Sequence, residues 1–112
     1  MGRSEEQPSA GVALELLVLR VLNRRGPSHG YDMAAILRDW SSDSIRVEEG
    51  SLYPALHRME EAGLVAAEWT VTGAKRRARM YRLTRKGARH LATVHERWIA
   101  FTEGVARVLR HA

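Results

Sequence analysis

Polar side chains on one face of a short segment are the first candidates for chemistry in this sequence. Within residues 50–64, apolar residues recur at spacings of i, i+3, i+4 and i+7, which predicts a helix with one buried stripe. The stripe consists of Leu52, Ala55, Leu56 and Met59, and the side chains away from it are Ser51, Tyr53, Pro54, His57, Arg58 and Glu61. Hydroxyl, imidazole and guanidinium groups can donate hydrogen bonds to base edges and phosphates. The outward face is therefore typical of a helix that reads DNA.

Three residues mark the ends of this helix. Ser51 can cap the first backbone amides, Pro54 is tolerated in the first turn, and Gly63 suits a left-handed C-terminal cap. After Gly63 the apolar period changes from 3.6 to 2 over residues 65–71, and residues 80–83 form a second strand-like run. The pattern predicts a β-hairpin whose tip spans residues 72–79.

The hairpin tip lies in a segment that contains no acidic residue. Residues 69–95 hold eight of the chain's 18 Lys and Arg residues, namely Lys75, Arg76, Arg77, Arg79, Arg82, Arg85, Lys86 and Arg89. A solvated surface of mixed charge does not explain why one sign is excluded over 27 residues. The clustering predicts a basic wing that binds a polyanion.

Composition limits the class of protein. The 112 residues, 45% of them hydrophobic, suit one small domain. A net charge of +5 and a sequence pI near 10.4 favour nucleic acid or an anionic membrane as the partner. The chain has no cysteine for disulfides or thiolate metal sites, and no apolar run approaches the ~20 residues that span a bilayer. Residues 1–8 are polar, carry no apolar signal-peptide core and are expected to form a disordered tail. With no cysteine and no membrane-spanning run, we therefore expect a cytoplasmic protein without a membrane partner.

Two further helices are predicted before the polar-faced one. The first, residues 9–25, is apolar nearly all round and must be covered on most faces, which makes Leu14 and Leu17 candidates for a dimer interface. Gly26 and Pro27 end it, and Ser28 can cap a second helix over residues 29–40. Residues 45–47 are expected to be a brief extended segment.

The last element, residues 84–110, carries an apolar seam. Its members, at spacings of 3, 4, 3, 4 and 3, are Leu91, Val94, Trp98, Phe101, Val105 and Val108. Such a heptad seam pairs readily with the same helix of a second chain or packs across the first helix. The alternative is a helix that lies on the core of its own domain.

Four short motifs follow one another along the chain. They are Gly-Pro-Ser-His-Gly-Tyr at 26–31, Glu-Gly-Ser-Leu-Tyr-Pro-Ala-Leu at 49–56, Glu-Ala-Gly-Leu-Val at 61–65 and Tyr-Arg-Leu-Thr at 81–84. Together they resemble the PadR family of winged helix-turn-helix transcription regulators, and the match covers residues 14–109. The resemblance implies a mostly α (α+β) fold, with a winged helix-turn-helix domain at 9–83 and a C-terminal dimerisation helix at 84–112.

The resemblance also implies a function. It implies a homodimer that occupies a palindromic operator in double-stranded DNA and usually represses, with the third helix in the major groove and the wing on the adjacent backbone or minor groove. The resemblance further implies that a small molecule releases the protein from its operator. In some relatives an aromatic residue on the terminal helix stacks on flat hydrophobic effectors, and Trp98 is the candidate here. The large apolar area of Trp98 and Phe101 favours ordinary interface packing instead.

Residue roles follow from side-chain chemistry. The cations expected on phosphates are Lys75, Arg76, Arg77 and Arg79. On the outward helix face, Arg58 or His57 could donate to guanine, and Tyr53 could touch phosphate or a thymine methyl. His57 could equally be a solvated residue or pair with Glu61 four positions on. Tyr31 either contacts phosphate or fills the core beneath the hairpin.

The sequence also bears on two other classes of protein. An enzyme is not expected, because the chain has no cysteine nucleophile, no glycine-rich phosphate loop and no catalytic constellation. The five histidines, His29, His57, His90, His95 and His111, do not fall in a metal-binding motif, so neither a metal nor another cofactor is expected. An RNA-binding or protein-docking winged helix is the remaining alternative, since the fold supports both.

Overall fold

A computed structural model of the protein describes residues 10–73 and 75–112. The elements in chain order are α1 (Ala10–Arg25), β1 (Ser28–His29), α2 (Gly30–Trp40), α3 (Glu49–Glu61), β2 (Val65–Val71), β3 (Arg77–Leu83) and α4 (Arg85–Arg110). The predicted mostly α (α+β) fold is confirmed. The predicted tail, residues 1–8, lies outside the described residues. No helix in the described ranges is long and apolar enough to cross a membrane.

The core is built around α1. Val18, Leu19 and Val21 are fully buried, and α1 packs against α2, α3, β3 and α4. Most of its apolar surface is therefore covered within one chain. Leu14 and Leu17 are half-buried at the edge of this core, so these two candidate interface residues keep some exposed apolar surface.

The start of α2 differs from the prediction. Ser28 does not cap the helix, because it lies in β1, is paired with Tyr81 of β3, and donates its hydroxyl to the Gly26 carbonyl at 3.0 Å. The N-cap position is His29, which makes no side-chain capping bond. Residues 45–47 do not form a strand either, and they connect α2 to α3 as irregular chain.

The start of α3 also lies earlier than predicted. Its N-cap is Glu48, which places Ser51 and Pro54 inside the helix. The predictions that Ser51 caps the helix and that Pro54 lies in its first turn are therefore wrong. Because Pro54 has no N–H, the second turn lacks the bond that would reach the Gly50 carbonyl. Gly63 does adopt the predicted left-handed conformation, with φ of 79°. The Gly63 and Leu64 amides bond back into the last turn of α3 at 3.0 and 2.9 Å and so end it.

The three strands form one antiparallel sheet in the order β1-β3-β2. The β2–β3 hairpin is in register from Val65 opposite Leu83 to Val71 opposite Arg77. β3 therefore begins three residues before the predicted start, and the turn is confined to residues 72–76. Arg77 and Arg79 belong to the strand rather than to the tip.

The first turn of α4 is fixed to the end of α3. Thr84 caps α4 by accepting from the Gly87 amide at 2.9 Å, and it donates to the Gly63 carbonyl at 2.7 Å. Lys86 Nζ donates to the Ala62 carbonyl at 2.7 Å. This 26-residue helix packs on the core through Leu91 and Val94, and its C-terminal part extends beyond the core. The molecule has extents of 58 × 35 × 23 Å.

Candidate nucleic-acid interface

The outward face of α3 is arranged as the sequence predicts. The stripe residues Leu52, Ala55, Leu56 and Met59 are buried, and Ser51, Tyr53, Pro54, His57 and Arg58 are all exposed. One helix face is thus committed to the core and the other is open to a partner. Tyr53, His57 and Arg58 on the open face have different neighbouring residues.

Tyr53 is the most constrained side chain on this face. Its ring lies against Gly30 at the start of α2, where an added Cβ would approach Tyr53 Cε1 to 2.7 Å. Burial, and then the nearby carboxylate of Glu49, raises the pKa of the Tyr53 hydroxyl above its ordinary value. A tyrosine phenol is already protonated at neutral pH at its ordinary pKa of about 10, and the upward shift does not change this, so Tyr53 can act as a hydrogen-bond donor.

His57 and Arg58 have loose carboxylate neighbours. His57 Nε2 lies 3.3 Å from Glu61 Oε2, so the weak intrahelical pair is present, although both side chains are largely exposed. Arg58 Nε lies 4.0 Å from Glu15 Oε2 on α1. Exposed pairs of this kind contribute little to stability, and a phosphate or base edge can compete with them. Both side chains remain available donors.

Tyr31 is exposed at the start of α2, so the interpretation that it fills the core beneath the hairpin is wrong. Its ring stacks on His29, with centroids 5.4 Å apart and planes 3° apart. His29 in turn contacts the Thr70 hydroxyl on β2 at 2.9 Å and lies 3.6 Å from Asp32. This stack connects the start of α2 with the wing and leaves Tyr31 accessible.

The wing presents three cations that are free of carboxylates. Its turn is closed by bonds from the Thr72 amide to the Arg76 carbonyl and from the Lys75 amide to the Thr72 carbonyl, both at 2.9 Å. Lys75 takes a left-handed φ of 60° in this turn. Among residues 10–73 and 75–112, no Asp or Glu lies within ion-pair distance of Lys75, Arg76 or Arg77.

Arg79 is engaged differently from the other three wing cations. It donates through Nη1 and Nη2 to the two carboxylate oxygens of Glu60 on α3, at 3.1 and 2.8 Å. Both side chains are about one-third exposed. The carboxylate neutralises the guanidinium locally and occupies two of its donors, so a phosphate would have to compete with this contact. The structure thus separates Arg79 from the free cations with which the sequence groups it.

The candidate interface residues of α4 divide into two sets. Leu91 and Val94 are buried against the chain's own core, as the alternative interpretation of the seam requires. Trp98 and Phe101 are half-buried, with ring centroids 5.9 Å apart, and Trp98 packs at the core edge. Val105 and Val108 are exposed.

Comparison with known proteins identifies the family. A model of the transcriptional regulator PadR-like family matches residues 18–93, which is more than half of the chain. The chain belongs to the PadR-like family. Members of this family are transcriptional regulators. No curated protein shows a significant sequence match. In the described part of the chain, no group of three His, Asp or Glu residues could hold a metal ion.

Solved structures of the family share the fold. The PadR family transcriptional regulator from Eggerthella lenta is 35% identical, with 89% of this chain and 84% of that chain covered and a TM-score of 0.75. A PadR-like transcription factor from Bacteroides fragilis is 26% identical, with 88% and 91% covered and a TM-score of 0.70. Bacillus subtilis PadR in complex with operator DNA is 26% identical, with 71% and 45% covered and a TM-score of 0.64. The winged helix-turn-helix fold is therefore that of the family.

No sequence signal marks two residues that contact the wing arginines, Glu60 and Trp69. Glu60 has the helical position of an ordinary surface acid, and its pairing with Arg79 joins residues 19 apart on different elements. Trp69 fits the alternating pattern of a buried strand residue, yet it is exposed. The contact of Glu60 with Arg79 and the exposure of Trp69 are visible only in the structure.

Proposed function

We propose that this protein is a sequence-specific DNA-binding transcription regulator that occupies a palindromic operator as a homodimer and represses. The observation that carries the proposal is the open polar face of α3 together with the wing cations Lys75, Arg76 and Arg77, none of which pairs with a carboxylate in the described part of the chain. The major groove of B-DNA, ~12 Å wide, admits a helix, and each base pair there has its own pattern of donors and acceptors. Phosphates along the same duplex attract the wing.

The proposed contacts divide into two kinds. Ser51, Tyr53, His57 and Arg58, with Pro54 on the same face, would lie in the groove and carry sequence choice. Lys75, Arg76 and Arg77 would neutralise phosphates and fix the register without reading sequence. Tyr31, exposed beside the wing, would add a phosphate contact. The relative from Bacillus subtilis, solved with operator DNA, supports DNA as the partner of this family's fold.

The homodimer is proposed from the apolar surface that one chain leaves open. Val105 and Val108 on α4 are exposed, and Leu14, Leu17 and Phe101 are only half-buried. Contiguous exposed apolar residues mark interaction sites in soluble proteins. A two-fold dimer would present two α3 helices to two half-sites, which is why the proposed operator is palindromic. A small hydrophobic effector, if it binds at the edge of this surface, would meet Trp98.

Fluorescence anisotropy tests the proposal directly. The purified protein is titrated against the duplex upstream of its own gene and against a scrambled duplex of equal length, each at two salt concentrations. We expect the native duplex to bind at least ~10³-fold more tightly, as specific regulators do. Equal, salt-sensitive binding to both duplexes would contradict operator recognition and would favour the RNA-binding or protein-docking alternative.

A further inference from the structure

Trp69 is a large aromatic residue that the wing does not bury. Along β2, Val65, Ala67 and Trp69 share one face, because alternate residues of a strand point to the same side. Val65 is buried in the core, but the hairpin extends beyond the core edge, and Trp69 is 57% exposed. Packing within the domain therefore does not account for an indole at this position.

Two guanidinium groups lie over the ring of Trp69. Arg77 Cζ lies 4.7 Å from the ring centroid and Arg79 Cζ lies 5.6 Å from it. Arg79 is the cross-strand partner of Trp69, and Arg77 is diagonal to it. A guanidinium within about 6 Å of an indole face is attracted by the ring quadrupole, and Trp is the strongest of the aromatic partners. Trp69 thus restrains two flexible side chains.

The two arginines differ in what else they contact. Arg79 is held by both carboxylate oxygens of Glu60, on the last turn of α3, and its Nε is buried with no hydrogen-bond partner. Arg77 is exposed, and no carboxylate among residues 10–73 and 75–112 lies within ion-pair distance of it. The contacts therefore form a continuous series from α3 to the wing: Glu60, Arg79, Trp69, Arg77.

We propose that Glu60, Arg79 and Trp69 are positioning residues that join the wing to α3 and hold Arg77 toward the phosphate backbone beside the groove that α3 enters. The two-point contact of Arg79 fixes the orientation of the hairpin relative to α3. Trp69, stacked beside Arg79, limits the directions that Arg77 can take. Arg77 contacts phosphate, and Arg79 does not. The inference rests on the proposed DNA binding.

Salt dependence of affinity distinguishes the two arginines. Each phosphate contact contributes about 0.9 to the slope of log affinity against log salt concentration. We expect Arg77→Ala to reduce this slope by about 0.9 on native and scrambled duplexes alike. We expect Arg79→Ala to reduce the slope only through Arg77, so that it leaves the slope unchanged in the Arg77→Ala background. A further reduction of about 0.9 from Arg79→Ala in that background would overturn the assignment, because Arg79 would then contact phosphate itself.

A double-mutant cycle tests the role of Trp69. We expect Trp69→Leu to reduce the slope as Arg77→Ala does, and to have no further effect in the Arg77→Ala background. Trp69→Phe keeps an aromatic face and serves as the matched control, which we expect to restore most of the slope. Additive losses from Trp69→Leu and Arg77→Ala would contradict positioning. Circular dichroism spectra and melting curves of each variant establish that the fold is intact.

Exchange of charges tests the connection to α3. Glu60→Arg alone breaks the pair by placing two cations together, and because it also adds positive charge near the DNA, we expect a smaller preference for the native over the scrambled duplex rather than a general loss of affinity. The double variant Glu60→Arg with Arg79→Glu restores the pair in reverse at the wild-type net charge, and we expect it to recover that preference. No recovery would contradict a positioning pair.

The outcomes also separate this inference from the proposed function. Phosphate contacts are independent of sequence, so the same slopes can be measured on the scrambled duplex if the native one shows no preference. Absence of binding to any duplex would overturn both.

Discussion

The two halves of α4 have the same apolar spacing but different surroundings. Leu91 and Val94 in the N-terminal half are each 6% exposed, whereas Val108 and Leu109 near the C-terminus are 73% and 79% exposed. The first half is packed against its own domain and tied by Thr84 to the end of α3. A heptad pattern therefore specifies which face of a helix is apolar but not which molecule covers it. Burial within the chain therefore changes along a single uninterrupted seam.

The largest effect that tests this difference is expected at Leu91. Truncation of Leu91 to Ala removes buried methyl groups and leaves a cavity in the core, and we expect it to lower the free energy of unfolding by about 2–5 kcal/mol. Chemical denaturation followed by circular dichroism measures the change. The matched control is Leu109→Ala, which removes the same atoms from the exposed half and is expected to stay within about 0.5 kcal/mol. Similar losses at both positions would remove the distinction between the halves.

A smaller effect is expected at the two glycines of α4. A Cβ on Gly87 would clash with the Leu64 carbonyl oxygen, so the backbone must shift, and we expect Gly87→Ala to destabilise the protein by about 1–3 kcal/mol. A Cβ on Gly104 would meet nothing within 4 Å. Gly104→Ala should therefore stabilise the helix, by about 1 kcal/mol.

Thermal melting curves measure the stability of both glycine variants, for which we expect changes of opposite sign in the two halves of α4. Stabilisation by Gly87→Ala would contradict the close contact between α4 and the turn after α3. Destabilisation by Gly104→Ala would indicate that another surface approaches the C-terminal half closely.

The fold could be predicted from the sequence where local patterns decide it. The 3.6-residue apolar period located α3, and the period of 2 located the hairpin, because each depends on neighbouring residues along one element. Gly63 ends α3 as predicted, with its left-handed φ of 79°. The helix starts were less predictable: several polar residues near residue 50 are compatible with a cap, and tertiary packing placed the start at Glu49.

The candidate site was predictable in part. Exposure of Tyr53, His57 and Arg58 follows from their position opposite the apolar stripe. The pairing of Arg79 with Glu60 does not, because a run of cations gives no sign of which member meets a carboxylate on another element. The division of α4 into a buried and an exposed half could not be predicted either, because it depends on how far the core extends along the helix.

The smallest effect on the free energy of unfolding is expected at Val108, and it addresses the exposed half directly. Val and Ser have similar helix propensity, so Val108→Ser should change the stability of the dilute protein by less than about 0.5 kcal/mol. In the proposed homodimer, however, the same change removes apolar area from the interface and should weaken association. Sedimentation velocity over a range of protein concentrations measures this association, with Thr102→Ser as an exposed control on the same half of α4.

The Val108 result is informative in either direction because stability and association are measured separately. Weaker association with unchanged stability would place Val108 between two chains, which is the role that its exposure in one chain suggests. Loss of stability without any change in association would mean that Val108 packs within its own chain, and the two halves of α4 would then not differ. A wild-type protein that sediments as a monomer at every concentration would leave the exposed seam without a second copy to cover it, and would contradict the proposed homodimer.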